Sequence, residues 1–201
     1  MVAKRLNFKY LDTGAMYRVA TLISMRHNIP PEEENLLVQE VKKHRITFDE
    51  VNTVTKVFLN GADVSEEIRT PELTAKIGPI CELAGIRDLM GKLQRELGEN
   101  GGVVLEGRDI GTVIFPDAEV KIFLNATPEE RAKRRWKEMI DRRIKIELEE
   151  VLQNIKKRDE RDSQRDLAPL MKAEDAIEID TTGLTLEQVI TKVVEQVNRV
   201  E

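Results

Sequence analysis

The chain has 201 residues, of which 40% are hydrophobic and 34% charged, and its formal net charge is −5. This length and composition fit one soluble globular domain, or one domain with a modest insertion. The negative charge argues against a nucleic acid or a membrane as partner, so a phosphate site would need local clusters of arginine. The single cysteine, Cys81, excludes an intrachain disulfide and a cysteine metal site, and we expect a cytoplasmic protein.

Short apolar runs alternate with longer helical patterns along the chain. The runs are 8–11, 103–105, 120–124 and 176–179. This alternation is typical of parallel strands joined by crossover helices. We therefore predict an α/β fold with a parallel sheet flanked by helices.

The helical patterns have recognisable ends. We predict helices over 14–28, after Pro31, over 82–97, from Pro128 and over 185–200. Thr127, Pro128 and Glu130 form a favourable helix start. The apolar side chains of the final pattern, from Leu186 to Val197, recur every three or four residues and should point inward.

Between residues 46 and 64 the sequence pattern changes, and single apolar residues are interspersed with polar ones. Asn60-Gly61 is a strong signal for a tight turn between antiparallel strands. We predict a small antiparallel insertion there.

Two polar clusters follow predicted strands, where ligands bind in open parallel sheets. They are Asp12-Thr13-Gly14 and the segment 106–112 (EGRDIGT), in which Arg108 offers a bidentate donor fork for phosphate. The alternative is that Asp12 and Asp109 only cap helices. We favour a functional interpretation because capping alone does not need an arginine beside an acid.

Two further charged segments have a functional and a plain interpretation. Arg131, Arg134 and Arg135 should share one helix face and could hold phosphate, or they could pair with Glu130 and Glu138 on the surface. A run of alternating charges such as 157–166 (KRDERDSQRD) usually forms a solvated helix with ion pairs on its surface. This run would nevertheless place Arg165 at a helix end. His27 and His44 have no companions at ligand spacing, and we interpret both as surface residues.

Five motifs together resemble those of bacterial cytidylate kinases. They are 10–18 (YLDTGAMYR), 64–70 (VSEEIRT), 106–117 (EGRDIGTVIFPD), 121–124 (KIFL) and 157–162 (KRDERD). The resemblance keeps the order and spacing of that family over essentially the whole chain. It implies a nucleoside-monophosphate-kinase-like fold, with a kinase core at 1–44 and 88–201, a short lid within 128–165, and a monophosphate-binding insertion at 45–87.

The resemblance also implies roles for particular residues. In that family the monophosphate is bound by the positions that match Thr13, Tyr17, Arg18 and Arg108, and the cytosine by those that match Arg87 and Asp109. The ribose is bound by the positions that match Arg158, Asp162 and Arg165. The lid that closes over the transferring phosphoryl group contains the positions that match Arg131, Arg134 and Arg135, and Glu106 matches an acidic residue near the metal ion, which it would contact through water. Arg108, Arg131, Arg135 and Arg158 are the expected catalytic residues.

The implied reaction is transfer of the γ-phosphoryl group of ATP to CMP or dCMP, with Mg²⁺ as cofactor and a monomeric enzyme. A carboxylate at Asp109 suits cytosine, whose 4-amino group is a donor, and disfavours uracil, which presents an oxygen there. Two alternatives stay open: a non-catalytic nucleotide-binding remnant, and another small-molecule kinase, such as one acting on shikimate, which would lack the pair Arg87 and Asp109.

Two features depart from the family pattern. Gly78 stands where the family usually has a serine that contacts the base. No Gly-x-x-x-x-Gly-Lys-[Ser/Thr] segment, the loop that cradles ATP phosphates, occurs in these 201 residues. We expect Met1–Leu6 to be the end of the helix that follows this loop, the central first strand to be missing, and phosphoryl transfer by this chain to be impaired. Our hypothesis is that the sequence starts at an internal methionine of a longer protein.

Overall fold

The computed structural model describes residues 1–51 and 54–200. Residues 52 and 53 of the predicted insertion, and residue 201 of the predicted kinase core, lie outside the described residues. The chain forms two compact units. The N-terminal unit is Asn7–Gly107, and the C-terminal unit combines Met1–Leu6 with the chain from Arg108 onwards.

The helices and strands follow the predicted α/β alternation. In chain order they are α1 (Val2–Leu6), β1 (Lys9–Asp12), α2 (Thr13–His27), α3 (Glu34–Lys42), β2 (Ile46–Val51), β3 (Val54–Leu59), β4 (Ala62–Asp63), α4 (Pro71–Glu82), α5 (Ala84–Gly98), β5 (Val103–Glu106), β6 (Ile122–Asn125), α6 (Pro128–Asp141), α7 (Leu148–Gln164), β7 (Ile177–Asp180) and α8 (Leu186–Val197). A π-helical turn, Ile110–Ile114, follows β5.

The parallel strands form two pairs. In the N-terminal unit β1 pairs with β5, with Asp12 opposite Glu106. In the C-terminal unit β6 pairs with β7, with Ile122 opposite Ile177. Among the described residues, β5 is hydrogen-bonded to one neighbouring strand and so is β6, so each has one paired edge. The four predicted strands are confirmed.

Helix α2 forms the centre of the N-terminal core. Its inward face buries Ala15, Met16, Val19, Ala20 and Ile23 almost completely. The helix ends at Asn28, whose φ of 52° is left-handed, and the Asn28 amide donates to the carbonyl of Met25. An asparagine tolerates this conformation better than most side chains, so the residue itself stops the helix.

The predicted helix over 82–97 is confirmed as α5, and the structure adds a helix before it, α4, that was not predicted. The structure has two helices, α4 and α5, separated by Leu83 in extended backbone. Helix α4 begins with a cap from Thr70, whose hydroxyl accepts from the amide of Leu73, followed by Pro71 at the first helical position. Pro79 lies inside α4, so a proline that usually breaks helices is accommodated here.

The antiparallel insertion is confirmed in the described residues. Strands β2, β3 and β4 form one antiparallel sheet, in which Ile46 lies opposite Leu59. The turn after β3 places Asn60 at φ 51° and Gly61 at φ 84°. Positive φ at both central positions matches the turn that the Asn-Gly pair predicts.

Helices α1 and α8 pack together in the C-terminal unit. Arg5 and Glu187 form an ion pair between them, and Val2–Leu6 of the expected helical segment is helical. On α8, Ile190 and Val193 are buried as predicted, whereas Leu186 is 63% exposed, so its inward orientation was predicted wrongly. None of the described helices is long and apolar enough to cross a membrane.

Candidate functional site

The start of α2 gathers polar groups at the end of β1. Asp12 uses both carboxylate oxygens there: Oδ1 accepts from the amide of Ala15 at 3.0 Å, and Oδ2 lies 3.3 Å from Arg69 Nη2. Asp12 therefore caps the helix and also holds an arginine. Capping alone does not describe its role.

Glu106, opposite Asp12 on the neighbouring strand, lies in a partly dehydrated setting. Burial raises the pKa of its carboxyl group, and the nearby Asp12 charge raises it further. The Tyr10 hydroxyl donates to Glu106, and burial, followed by the Glu106 charge, raises the pKa of that phenol. The Thr13 hydroxyl donates to the Glu106 carbonyl at 2.7 Å, which fixes the start of α2 against β5.

The donor set at these strand ends fits the Mg²⁺ that the family implies. Magnesium prefers hard oxygen ligands and usually keeps several waters. Asp12 and Glu106 present two carboxylates at opposed positions of neighbouring strands, and the Asp12 charge raises the pKa of Glu106. A divalent cation bound directly or through water would relieve that repulsion.

Three other predicted residues of the N-terminal unit lie on or against α2. Arg18 Nη1 donates to the carbonyl of Ile68 at 3.0 Å and to the hydroxyl of Thr74 at 2.9 Å. The guanidinium carbon of Arg87 lies 5.9 Å from the centroid of the buried Tyr17 ring. This geometry is a cation–π contact, and it orients Arg87 from α5 towards α2.

Arg69 is a functional candidate that the residue-by-residue prediction missed. It donates to Asp12, as described above, and to the carbonyl of Ser65 at 2.8 Å. It is therefore pre-oriented at the strand-end cluster. Its signal was present in the sequence, because the motif 64–70 that carried part of the resemblance contains it.

In the C-terminal unit, Asp162 lies between two arginines. Arg108 Nε is 3.1 Å from Asp162 Oδ2, and Arg158 Nε is 3.6 Å from the same oxygen. Burial lowers the pKa of Arg108, and the positive charge of Arg158 lowers it further. Asp162 Oδ2 has no partner with hydrogen-bond geometry among the described residues, so the two guanidinium groups balance its charge without saturating it.

Asp109 and Arg165 form a second buried pair in the same unit. Asp109 is 7% exposed, and its Oδ1 lies 4.0 Å from Arg165 Nη2. The Asp109 side chain does not cap the π-helical turn that follows it in the described segment, so the capping alternative is wrong for this residue. Arg165 Nε donates to the carbonyl of Ala168 at 2.6 Å, whereas its Nη2 has no hydrogen-bond partner within the described part of the chain.

The three lid arginines have different partners. Arg131 makes a bidentate contact with Asp159 on α7, at 3.0 and 2.6 Å. Arg134 pairs with Glu130 and donates to the hydroxyl and carbonyl of Thr181, beyond β7. Arg135 pairs with the exposed Glu138 at 2.7 Å. The surface-pair alternative is confirmed for Arg134 and Glu130, whereas Glu138 pairs with Arg135. The interpretation that these arginines hold phosphate stays a prediction.

The predicted residues divide between the two units. Thr13, Tyr17, Arg18, Arg87 and Glu106 belong to the N-terminal unit; Arg108, Asp109, Arg131, Arg134, Arg135, Arg158, Asp162 and Arg165 belong to the C-terminal unit. Within each unit the structure places most of them next to another predicted residue. Gly78 is buried inside α4.

The histidines differ from the expectation. Their ring centroids lie 5.6 Å apart, and both rings lie near Glu40. The prediction that His27 and His44 have no companions is therefore wrong, because α2 and α3 bring together residues that are distant in the sequence.

Parallel strand pairs with crossover helices, an antiparallel insertion and arginines at the strand ends define a nucleoside-monophosphate-kinase-like fold. A sequence model of the family described as cytidylate kinase matches residues 1–199. A cytidylate kinase of Bacillus cereus (strain ATCC 10987 / NRS 248) is 46% identical over 200 residues, which are 100% of this chain and 89% of that protein. Cytidylate kinases of Bacillus thuringiensis (strain Al Hakam) and Bacillus anthracis (strain CDC 684 / NRRL 3495) are each 46% identical over 193 residues, 96% of this chain and 86% of theirs. The chain belongs to the cytidylate kinase family, whose members are nucleoside monophosphate kinases.

Proposed function

We propose that this chain binds CMP or dCMP as phosphoryl acceptor and that its site serves transfer of the γ-phosphoryl group from ATP. An oxygen of the acceptor phosphate attacks the γ-phosphorus, the bond to the bridging oxygen breaks, and ADP leaves. Besides the family membership, the observation that carries the proposal is the pair of arginine–aspartate contacts around Arg108 and Asp109. In these contacts Asp162 Oδ2 and Arg165 Nη2 are buried and have no hydrogen-bond partner among the described residues.

The acceptor phosphate is proposed to bind at Arg18 and Arg108, with Tyr17 and Thr13 nearby. Arg18 is oriented by hydrogen bonds to a carbonyl and a hydroxyl. The Arg108 side chain is 34% exposed, and a second arginine lies close by. A guanidinium group can hold phosphate oxygens with charge-assisted hydrogen bonds.

The cytosine ring is proposed to be read by Asp109 and Arg87. The Asp109 carboxylate can accept from the 4-amino group of cytosine, and Arg87 can donate to the ring acceptors. Asp109 is buried, so a uracil oxygen placed against it would leave two acceptors facing each other without water. This penalty makes the proposed site selective for cytosine.

The ribose is proposed to bind at Asp162, Arg158 and Arg165. Asp162 Oδ2 is buried without a hydrogen-bond partner among the described residues, and a sugar hydroxyl is a donor that would fill that position. The same reasoning applies to the unused Nη2 donor of Arg165 and a sugar oxygen. The hydroxyl groups of a nucleotide can thus supply the hydrogen-bond partners that these atoms of Asp162 and Arg165 lack among the described residues.

Phosphoryl transfer depends on arginines that neutralise charge on the moving group. Arg131 is the proposed residue, with Arg135 in support, and Arg134 would hold α6 to the end of β7. In the structure Asp159 occupies the two donors of Arg131, so phosphate would have to replace this carboxylate. Mg²⁺ near Asp12 and Glu106 would supply charge neutralisation and a template for the phosphates when bound.

An ADP-release assay tests the proposal. We compare CMP, UMP and AMP as acceptors, first with the 201-residue chain and then with a chimera that adds a strand and a Gly-x-x-x-x-Gly-Lys-[Ser/Thr] loop in front of it. We expect low turnover by the first protein and CMP-selective turnover by the second, because positioning of ATP relies on the loop backbone and its lysine. A folded chimera that prefers UMP or AMP, or turns over none of them, contradicts the proposal.

A further inference from the structure

We propose that His27, Glu40 and His44 form a binding site for one Zn²⁺ ion. Each residue offers one ligand atom, and these atoms all lie within 4.8 Å of one another. The three residues belong to the N-terminal unit and come from two helices: His27 ends α2, Glu40 lies in α3, and His44 follows α3. No ion is present at this candidate site, which is empty in the structure.

The ligand chemistry selects the metal. Two imidazoles and one carboxylate suit a borderline cation such as Zn²⁺, whereas Mg²⁺ prefers an all-oxygen environment. Three protein ligands would leave a fourth, tetrahedral position for water. Neighbouring ligand atoms around tetrahedral zinc lie about 3.4 Å apart. At the 4.8 Å limit the ligand atoms must therefore close in by about 1.4 Å, and the half-exposed His27 side chain has room to rotate.

A backbone contact prepares His44 for metal binding. Its Nδ1 lies 2.9 Å from the carbonyl oxygen of Glu40. A carbonyl can only accept, so in the neutral imidazole the hydrogen is on Nδ1 and the lone pair on Nε2. Metal-bound histidines commonly donate their other ring nitrogen to such an oxygen, which fixes the tautomer and the ring orientation.

The carboxylate of Glu40 is also oriented towards the histidines. Its Oε1 lies 3.6 Å from His27 Nδ1, and its Oε2 pairs with Lys43 at 2.6 Å. The lysine thus holds one oxygen and leaves the other facing the imidazole of α2. The side chain of Glu40 is only 13% exposed, so its position is more restricted than that of a freely rotating surface glutamate.

The site is separate from the proposed acceptor site. Helix α2 is 15 residues long, so Thr13 and His27 at its two ends lie about 21 Å apart at a rise of about 1.5 Å per residue. A metal bound at His27 would instead clip the C-terminal end of α2 to the end of α3. It would act on the packing of the N-terminal unit rather than on substrate.

The experiment is a Zn²⁺ titration of the untagged chain, followed by long-range proton–nitrogen NMR of the imidazole rings. The chain contains two histidines, so every imidazole signal is assignable. One equivalent of Zn²⁺ should shift both rings, with His44 keeping hydrogen on Nδ1 and binding through Nε2. An equal concentration of Mg²⁺ should shift neither ring.

Calorimetry of variants completes the test. We expect H27A and H44A each to weaken Zn²⁺ binding at least tenfold, and Glu40→Gln to weaken it severalfold. Cys81→Ser is the matched control, since it removes the single thiol of the chain and should leave the affinity unchanged. Circular dichroism confirms that each variant is folded. Binding without 1:1 stoichiometry, a shift of only one ring, or affinity unchanged in the folded double variant H27A/H44A would overturn the proposal.

Discussion

In the proposed function, single residues decide which nucleotide the site accepts. Asp109 and Arg165 are both largely buried, and Asp109 does not cap the turn that it precedes in the described segment. Arg165 Nη2, which faces Asp109, has no hydrogen-bond partner within the described part of the chain, and such a buried donor is costly to keep without a ligand, since polar groups in a protein interior usually find partners. This cost is our reason to place recognition of the base and the sugar here.

The first residue-scale prediction concerns Asp109→Asn. An asparagine can turn its amide so that it donates to the uracil oxygen, so we expect CMP affinity to fall about 10- to 100-fold and UMP binding to become comparable to CMP binding. Calorimetric titration with both nucleotides measures this. Asp117→Asn, at an exposed aspartate of the same unit, is the control and should change neither affinity. Unchanged selectivity in Asp109→Asn would remove Asp109 from the base site.

The second residue-scale prediction concerns Arg131→Lys. A lysine keeps the charge but loses the bidentate fork, so transition-state stabilisation should drop while acceptor binding stays. In the chimera that carries the Gly-rich loop, we expect kcat to fall about 100-fold with little change in KM for CMP. Lys133→Gln, at an exposed position of the same helix, serves as the comparison and should keep wild-type kinetics. An equal loss in both variants would point to a defect of α6 as a whole.

At the scale of elements, sequence patterns predicted the strands better than the connections between helices. The four parallel strands and the Asn60-Gly61 turn were predictable because each depends on local signals, namely short apolar runs and a positive-φ pair. The division between α4 and α5 was not, since Leu83 breaks the helix without a glycine or a proline at its own position.

The limits are similar within the candidate site. Arg69, Asp159 and the pairing of His27 with His44 were missed because they depend on which helices pack together. Local spacing does not contain that information.

Helix α2 gives a prediction about stability. Asn28 ends it in the left-handed region at φ 52°, which alanine adopts at a cost of about 1 kcal/mol. We expect Asn28→Ala to lower the free energy of unfolding by about that amount in chemical denaturation. Asn28→Gly, which accepts the same backbone conformation without strain, should be as stable as the wild type or nearly so. Equal destabilisation by both changes would show that the Asn28 side chain, not its backbone conformation, matters.

At the scale of the whole molecule, the residues assigned to one nucleotide come from both compact units. A ligand that binds only the folded chain stabilises it by about 2.7 kcal/mol at one hundred times its Kd. We expect CMP to raise the melting temperature of the 201-residue chain by several degrees, and Arg18→Ala or Arg108→Ala, one from each unit, each to abolish most of that increase.

A variant outside the site provides the comparison for those melts. Arg199→Ala removes an exposed arginine that bonds only to Gln196 among its described side-chain contacts, and it should keep the full effect of CMP. If only one of the two site variants lost the effect, the nucleotide would be bound by a single unit.

The central claim is that guanidinium and carboxylate groups of this chain recognise cytidine monophosphate, and calorimetric titration of the 201-residue chain with CMP and with UMP tests it most directly. We predict one CMP per chain, with a Kd at least tenfold lower than that for UMP. Equal affinity for the two nucleotides, or no saturable binding of CMP by a chain that is demonstrably folded, would contradict the account.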